Sequence, residues 1–412
     1  MKSTPAEILG QPLTLPCGAT IKNRICKSAM SENLGTVDFH PTPNLTRLYG
    51  RWADGGMGLC ITGNVMVDSN ALGEPRNVVI EDENHMDMLK EWASSAHKTG
   101  MHLWVQLNHP GKQSPKTLSP EPVAPSAIPF SGNLGRFFNP PRALTGDEIR
   151  DLISRFAKAA KIAKKAGFTG VQIHGAHGYL VSQFLSPQHN QREDEWGGSI
   201  ENRMRFVLEI YRAIRKAVGK KFPVGVKLNS SDFMRGGFTE DESVQVAAAL
   251  AKEGADLIEI SGGTYEKPAM TGRTREFKDS PTEAYFLSYA EKVRKHVDTP
   301  LMITGGFRTA RGMADAVATG GIDLVGLARP LCIDPDLPQK ILSGEDYVSP
   351  VKPLTTGIKL LDTLALLEVT WYEQQLAYIS KGRPTRPNQS VWFSLAKTLV
   401  ENGFQVFQKR RA

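Results

Sequence analysis

The sequence predicts an α/β fold, a single (β/α)8 TIM barrel with an N-terminal cap and a C-terminal helical extension. Three observations predict it. Eight short apolar or β-branched runs recur along the chain, amphipathic stretches separate them, and within the runs polar side chains alternate with apolar ones. The runs are Arg24–Met30, Gly58–Val67, His102–His109, Gly170–His174, Val224–Asn229, Leu257–Gly262, Leu301–Gly305 and Leu324–Ala328.

The clearest helix begins at Thr145, which forms a capping box with Glu148. It sets Ile149, Leu152, Ile153, Phe156, Ala160 and Ala163 on one face and stops at Gly167. Further helices are expected at about Ser199–Val218, Asp241–Lys252, Tyr285–Val297 and Thr309–Ala318, with Gly219, Gly254 and Gly320 as stops. The main rival is a doubly wound open sheet, and side-chain phase argues against it. In "LWVQLNH" the apolar Leu103, Val105 and Leu107 alternate with Trp104, Gln106 and Asn108; "VGVKLN", "VQIH" and "LIEIS" repeat the pattern. A sheet covered on both faces should be apolar on both. Here Gln106, Gln172, His174, Lys227 and Glu259 share the second face, which fits a barrel whose C-terminal mouth holds a polar ligand. Ser114–Pro141, rich in proline, serine and glycine, is long for a βα loop and reads as a lid over that mouth. Gly357–Ile379 reads as a final helix. The division expected is a barrel over residues 1–380 and a tail over 381–412 that can cap it or reach a partner subunit, so a homo-oligomer is left open.

Composition narrows the functional classes. Of 412 residues, 40% are hydrophobic and 23% charged, ordinary for a globular protein. No run approaches the ~18 apolar residues of a membrane span, and the N-terminus lacks the apolar stretch of a signal peptide, so a cytoplasmic address is expected. Cys17, Cys26, Cys60 and Cys332 are scattered and read as reduced thiols. The net charge of +7 is mild, and its clusters, at Lys161, Lys164, Lys165 and in "QKRRA", read as a solvated helix face and a frayed end. Neither a nucleic acid nor a membrane is expected as a partner.

Two constellations carry chemistry. "ITGGFRTA" follows the seventh run and "GLARPL" the eighth. Glycines such as Gly305 and Gly306 let backbone N–H groups approach an anion, and Arg308 or Arg329 can clamp it, so a phosphate site is expected there. "HGAHGY" closes the fourth run. His174 is in phase with Gln172 and faces the barrel axis; Gly175 and Ala176 let the chain turn so that His177 and Tyr179 reach the same rim. Two imidazoles and a phenol suit an oxygen on which negative charge develops, followed by proton delivery. The bland alternative is histidines bonded to loop carbonyls; a metal would need a third ligand. Lys227 and Glu259 can neutralise one another, or Lys227 can face an anionic ring, while Gln106 matches the edge of an imide-containing heterocycle.

"IHGAHGYLVSQFLSPQHNQREDEWGGSIENR" closely resembles the signature of the old yellow enzyme family of FMN-dependent NAD(P)H:flavin oxidoreductases, with supporting matches in "IKNRICKSAMS", "VQLNHPGKQ" and "GLARPL". The resemblance covers roughly residues 8 to 345. It implies FMN as cofactor and NAD(P)H as electron donor. It implies that Ser28, Ala29, Met30 and Ser31 lie along the flavin, with Ser31 tuning its potential, that Gly63 and Gln106 also contact it, and that Gly306, Ala328 and Arg329 grip its phosphate. His174 and His177 are implied to hold the oxygen of a small activated alkene, and Tyr179 to protonate it as hydride passes from flavin N5. Two positions depart from the family pattern: Lys227 stands where many members carry arginine, and Asn33 where some place a substrate-contacting tyrosine. No cysteine cluster follows the barrel, unlike the iron–sulfur relatives. Competing readings are an FMN-dependent oxidative demethylase or dehydrogenase, a flavin-free phosphate-binding lyase or isomerase, and a non-catalytic scaffold.

Overall fold

In the computed structural model, which describes residues 3–132, 134–267, 269, 283–358 and 366–406, the eight runs become parallel strands of one closed ring. These are β1 (Ile25–Lys27), β2 (Leu59–Met66), β3 (His102–Asn108), β4 (Gly170–Gly175), β5 (Val224–Asn229), β6 (Leu257–Ser261), β7 (Leu301–Thr304) and β8 (Leu324–Leu327). Each pairs with its chain neighbours, and β8 returns to β1 through Val325–Ile25, Gly326–Cys26 and Leu327–Lys27, which closes the barrel. A two-residue strand, Val78–Val79, adds to β2 outside the ring.

The main helices are α1 (Pro43–Asp54), α2 (Gly146–Ala166), α3 (Ile200–Val218), α4 (Glu240–Lys252), α5 (Leu287–Arg294), α6 (Ala310–Ala318), α7 (Leu366–Ser380) and α8 (Val391–Val406). Their starts follow cap chemistry. Thr145 and Glu148 form the expected reciprocal box, and Gly167 ends α2 in the left-handed conformation at φ +99°. Ser199, Thr239 and Thr309 cap α3, α4 and α6 through their hydroxyls. The helix expected from Tyr285 starts later, at Leu287, and the Tyr285 N–H donates to the Gly305 carbonyl.

Side-chain phase sorts the strands into two environments. Leu103, Val105, Leu107, Val171, Ile173, Val226, Leu228 and Ile260 pack outward with the helices. Inside, Cys26, Leu59, Ile61, Trp104, Leu257, Met302 and Leu324 form a separate apolar plug, joined by Leu15 and Ile21 of an N-terminal hairpin that caps the bottom. Trp104 is fully buried at its centre, and a Cβ on Gly170 would lie 2.5 Å from its Nε1. Above this plug the interior turns polar.

Of the final helix expected over Gly357–Ile379, Gly357 and Ile358 are not helical, residues 359–365 lie outside the described residues, and the rest is α7, which buries Leu367, Trp371 and Leu376. It lies against α1, where Arg47 Nε donates to the Ser380 carbonyl at 2.8 Å. Helix α8 packs on α7, with Gln374 Nε2 donating to the Ser394 carbonyl. Most of the loop Gly262–Ser280 and the basic run after Val406 lie outside the described residues. All four cysteines are free thiols. Among the described residues no helix is long and apolar enough to cross a membrane.

Candidate active site

The polar layer above the plug is one hydrogen-bonded chain across the barrel. Gln106 Nε2 donates to Gln172 Oε1 and Gln172 Nε2 donates to Glu259 Oε2, both at 2.7 Å. Glu259 Oε1 meets Lys227 Nζ at 2.9 Å and the Thr304 hydroxyl at 2.7 Å, and Thr304 is bonded in turn to Ser28. Lys227 and Glu259 are almost wholly buried, so the pair persists only because the remaining polar atoms of the layer are also satisfied. The mutual neutralisation expected as one alternative is therefore present, and it leaves Lys227 still lining the mouth.

Above this layer "HGAHGY" leaves β4. Gly175 needs its missing side chain, since a Cβ there would sit 2.9 Å from the Lys227 carbonyl oxygen. His177 adopts φ +62°, a left-handed conformation uncommon for a non-glycine residue, and is held in it from two sides. Its N–H donates to Asn229 Oδ1 at 3.0 Å, and its carbonyl accepts from Gln113 Nε2 at 3.1 Å. The turn brings the trio together: the His174 ring lies 5.2 Å from His177 and 4.8 Å from Tyr179, centroid to centroid.

The protonation of the trio follows from its surroundings. Burial, with His177 and Lys227 nearby, holds His174 well below the usual imidazole range; burial and Lys227 do the same to His177. Both rings are neutral at pH 7. His174 Nδ1 accepts from the Ala176 N–H at 3.3 Å, which puts the ring hydrogen on Nε2. His177 Nε2 is 2.8 Å from Ser261 Oγ; with the hydroxyl donating, Nδ1 carries the hydrogen. Burial, then the neighbouring Tyr265 and Glu74, pushes the Tyr179 phenol well above its ordinary value, so it is a protonated O–H. Neutral donors and a protonated acid share one rim.

The cavity at this rim is lined by Ala29, Met30, Ser31, Asn64, Glu74, Gln106, His174, His177, Tyr179, Lys227 and Tyr265, with Ala328, Arg329 and Cys332 to one side. Its roof is Glu368, Val369, Tyr372 and Leu376 of α7. A second cavity continues past Ala328, Arg329 and Glu368, residues common to both, to Thr304, Gly305, Gly306, Phe307 and Arg308. Gly305 and Gly306 have φ +125° and +94°, and a Cβ on Gly306 would overlap the Glu283 carbonyl. The Glu283 carboxylate accepts from the N–H groups of Arg308 and Thr309, capping α6. Arg329 approaches Glu368 of α7 at 3.5 Å.

Three expected site residues lie elsewhere. Ser28 sits below the mouth against Thr304. Gly63 and Asn33 line a small cavity behind Ser31. Gly63 falls in an irregularity of β2, and its N–H donates to Glu32 Oε1 at 2.8 Å. Glu32 also accepts from Tyr49, whose hydroxyl lies 3.1 Å from the fully buried Lys27 ammonium. Sequence reading missed this Lys27–Tyr49–Glu32 chain, as well as Glu74, Glu373, Tyr265 and the α7 roof. A lysine inside the first strand was the one available signal. Ser31 Oγ lies 2.5 Å from Glu74 Oε2 and 2.9 Å from Glu373 Oε1. One hydroxyl has one hydrogen, so both carboxyls are satisfied only when one of them keeps a proton. Burial and Glu74 push Glu373 up to about 8, in agreement with that count.

An elongated cleft with a glycine-lined, arginine-bearing end and an amide and an ammonium at the other end fits a phosphorylated heterocycle such as FMN. The model of the NADH:flavin oxidoreductase / NADH oxidase family matches residues 9–346. The NADH-dependent flavin oxidoreductase iccE of Talaromyces variabilis is 36% identical over 409 residues, 90% of this chain and 98% of that protein. An NADPH dehydrogenase of a Geobacillus species is 34% identical over 332 residues, 80% of this chain and 92% of its own length. Among solved structures, an old yellow enzyme homologue from Zymomonas mobilis superposes with a TM-score of 0.71 at 27% identity, covering 83% of this chain and 94% of its own. Morphinone reductase in complex with tetrahydroNAD gives 0.70 at 27% identity, covering 83% and 92%. The chain belongs to the NADH:flavin oxidoreductase / NADH oxidase family, the old yellow enzyme family, and is an FMN-dependent NAD(P)H oxidoreductase.

Proposed function

We propose that this oxidoreductase reduces the C=C bond of small alkenes activated by a carbonyl or nitro group. The observation that carries the reading is the rim: two neutral imidazoles beside a phenol held in its protonated form, with His174 keeping an Nε2–H and, when Ser261 donates, His177 keeping an Nδ1–H for a ligand. His174 Nε2–H and His177 Nδ1–H bind the substrate oxygen and stabilise the negative charge that develops on it as the alkene is reduced. Neutral donors suit this better than imidazolium, which would bind anions of every kind. Tyr179 delivers the proton to the α-carbon.

Gly305, Gly306, Ala328 and Arg329 would hold the phosphate of FMN, and Ala29, Met30, Ser31, Gln106 and Lys227 its ring; Ser28 would support that wall from below. Gly63 and Asn33 would act from behind Ser31, as backing for the same wall. Bound there, FMN would supply the two-electron redox chemistry that links NAD(P)H to the alkene. Lys227 would retain its partner Glu259 while presenting positive charge to the ring, and the apolar roof of α7 would exclude water from the reacting carbon.

The test is a panel of enones, maleimides and nitroalkenes mixed with enzyme already reduced by NADH or by NADPH. Several members should accelerate reoxidation, and Tyr179→Phe should slow that step by about 10²- to 10⁴-fold while sparing reduction by the nicotinamide. Equal losses in the two half-reactions remove Tyr179 as the acid. If no alkene accelerates reoxidation, the reading fails.

A further inference from the structure

Tyr265 stands outside the trio, on the loop after β6, yet its hydroxyl lies 2.8 Å from that of Tyr179. The two residues differ in exposure: Tyr179 is 6% exposed and Tyr265 40%. Their rings meet edge to face at 5.8 Å. Asn64 Nδ2 donates to the same Tyr179 oxygen at 3.3 Å. With the Tyr265 hydroxyl donating, as Asn64 Nδ2 does, the Tyr179 oxygen has its own hydrogen left to point elsewhere, and the space left is the mouth.

We propose that Tyr265 is the second phenol of a proton relay, orienting the Tyr179 O–H toward substrate and replacing its proton from solvent after each transfer. The inference rests on Tyr179 being the proton source. When the Tyr179 O–H bond breaks and its proton bonds to the α-carbon, the bonding electron pair stays on oxygen as a phenolate. The Tyr265 O–H then breaks, its proton passing to Tyr179. Tyr265 takes a proton from water or a buffer acid at the mouth, so the sum is one proton drawn from solvent with no oxidant or reductant involved.

The surroundings give the relay a direction. Glu74 is the carboxyl that bears on both phenols, while His174 packs on the Tyr179 ring and Lys227 lies beyond the imidazoles. Burial, Tyr265 and Glu74 hold the Tyr179 phenol well above its ordinary value; burial and Glu74 raise Tyr265 less far, to about 12, so a phenolate at Tyr179 draws its proton from Tyr265. Without Tyr265, Tyr179 has Asn64 as its remaining polar contact through the hydroxyl, and an amide gives up no proton at neutral pH.

The experiment uses the flavin-loaded Tyr265→Phe enzyme, which keeps the ring that packs toward Phe138 and loses only the hydroxyl. Reoxidation of the nicotinamide-reduced enzyme by N-ethylmaleimide should fall about 10-fold, less than the roughly 10²- to 10⁴-fold of a group that itself protonates substrate, because Tyr265 acts through Tyr179. Its solvent deuterium isotope effect should rise, while flavin reduction by NAD(P)H keeps the wild-type rate. A merely structural role for the hydroxyl would leave the isotope effect where it was. Wild-type rate and isotope effect in Tyr265→Phe, alongside a slow Tyr179→Phe, overturn the relay alone. A wild-type rate in Tyr179→Phe overturns the relay together with the proton source it serves.

Discussion

The floor of the mouth, Gln106, His174 and Lys227, comes from three neighbouring parallel strands, whereas its roof, Glu368, Val369, Tyr372 and Leu376, comes from one helix of the C-terminal extension. Strand register spaces the floor residues: Lys227 pairs with His174 across β5 and β4, and Gln106 with Gln172 across β3 and β4. Among the described residues no backbone ladder ties α7 to the barrel, which it meets through the packing of Trp371 and Leu376, hydrogen bonds from Arg47 and Ser31, and the ion pair of Glu368 with Arg329. A ladder of backbone bonds cannot shift by a fraction of a residue, but a helix docked on side chains can. The contrast suggests that the floor performs the step common to every substrate and that the roof chooses among substrates.

If that division is right, damage to the floor should be the more costly. Glu259→Gln keeps shape but turns one acceptor oxygen into a donor and leaves Lys227 as a buried cation without a countercharge. It should lower the unfolding free energy by about 3–5 kcal/mol, read by urea titration. Lys227→Met added to that variant should recover much of the loss, because no charge then remains buried. A Glu259→Gln protein as stable as the wild type would mean that water reaches the layer and that the floor is not rigid.

The same division decides what the sequence makes legible. All eight strands, the capping box at Thr145 and the meeting of His174, His177 and Tyr179 follow from local pattern: alternation with period two, cap residues at fixed offsets, and glycines where β4 must turn. Tyr265, Glu74 and Glu373 follow from no such pattern. Each reaches the site because a loop or helix distant in sequence packs there, and a lone glutamate on a helix reads as solvated until its neighbours are known. Lys27 was missed for a related reason. It occupies a strand position that points away from the barrel axis, where it is sealed between Tyr49 and Trp52 of α1 and bonded to the Ile61 carbonyl.

A smaller effect tests how α7 is held over the mouth. Glu373 on α7 has a raised value, about 8, against the ordinary 4.5, so between those pH values the folded chain binds more protons than the unfolded one. Stability from this group therefore falls as pH rises from the carboxylate range through about 8 and then levels off. Glu373→Gln removes that fall. Its melting temperature should gain on the wild type steadily across this window, with the difference vanishing toward pH 4.5, as scanning calorimetry at a series of pH values would record. A constant offset at every pH would show that Glu373 keeps an ordinary value and that the proton between it and Glu74 is absent.

The smallest effect expected is also the one that separates roof from floor most directly. Tyr372 lines the mouth from α7, and its ring meets that of Trp371 edge to face at 4.9 Å. Tyr372→Ala removes contact area from the roof while leaving His174, His177 and Tyr179 in place. For a bulky enone that reaches the roof, KM should rise a few-fold, on the scale of about 1 kcal/mol for part of a buried side chain, with kcat nearly unchanged. For a small maleimide that stays on the floor, neither constant should move. Loss of kcat with both substrates would mean that α7 helps set the geometry of the reacting atoms, and that the barrel alone does not hold its own chemistry in place.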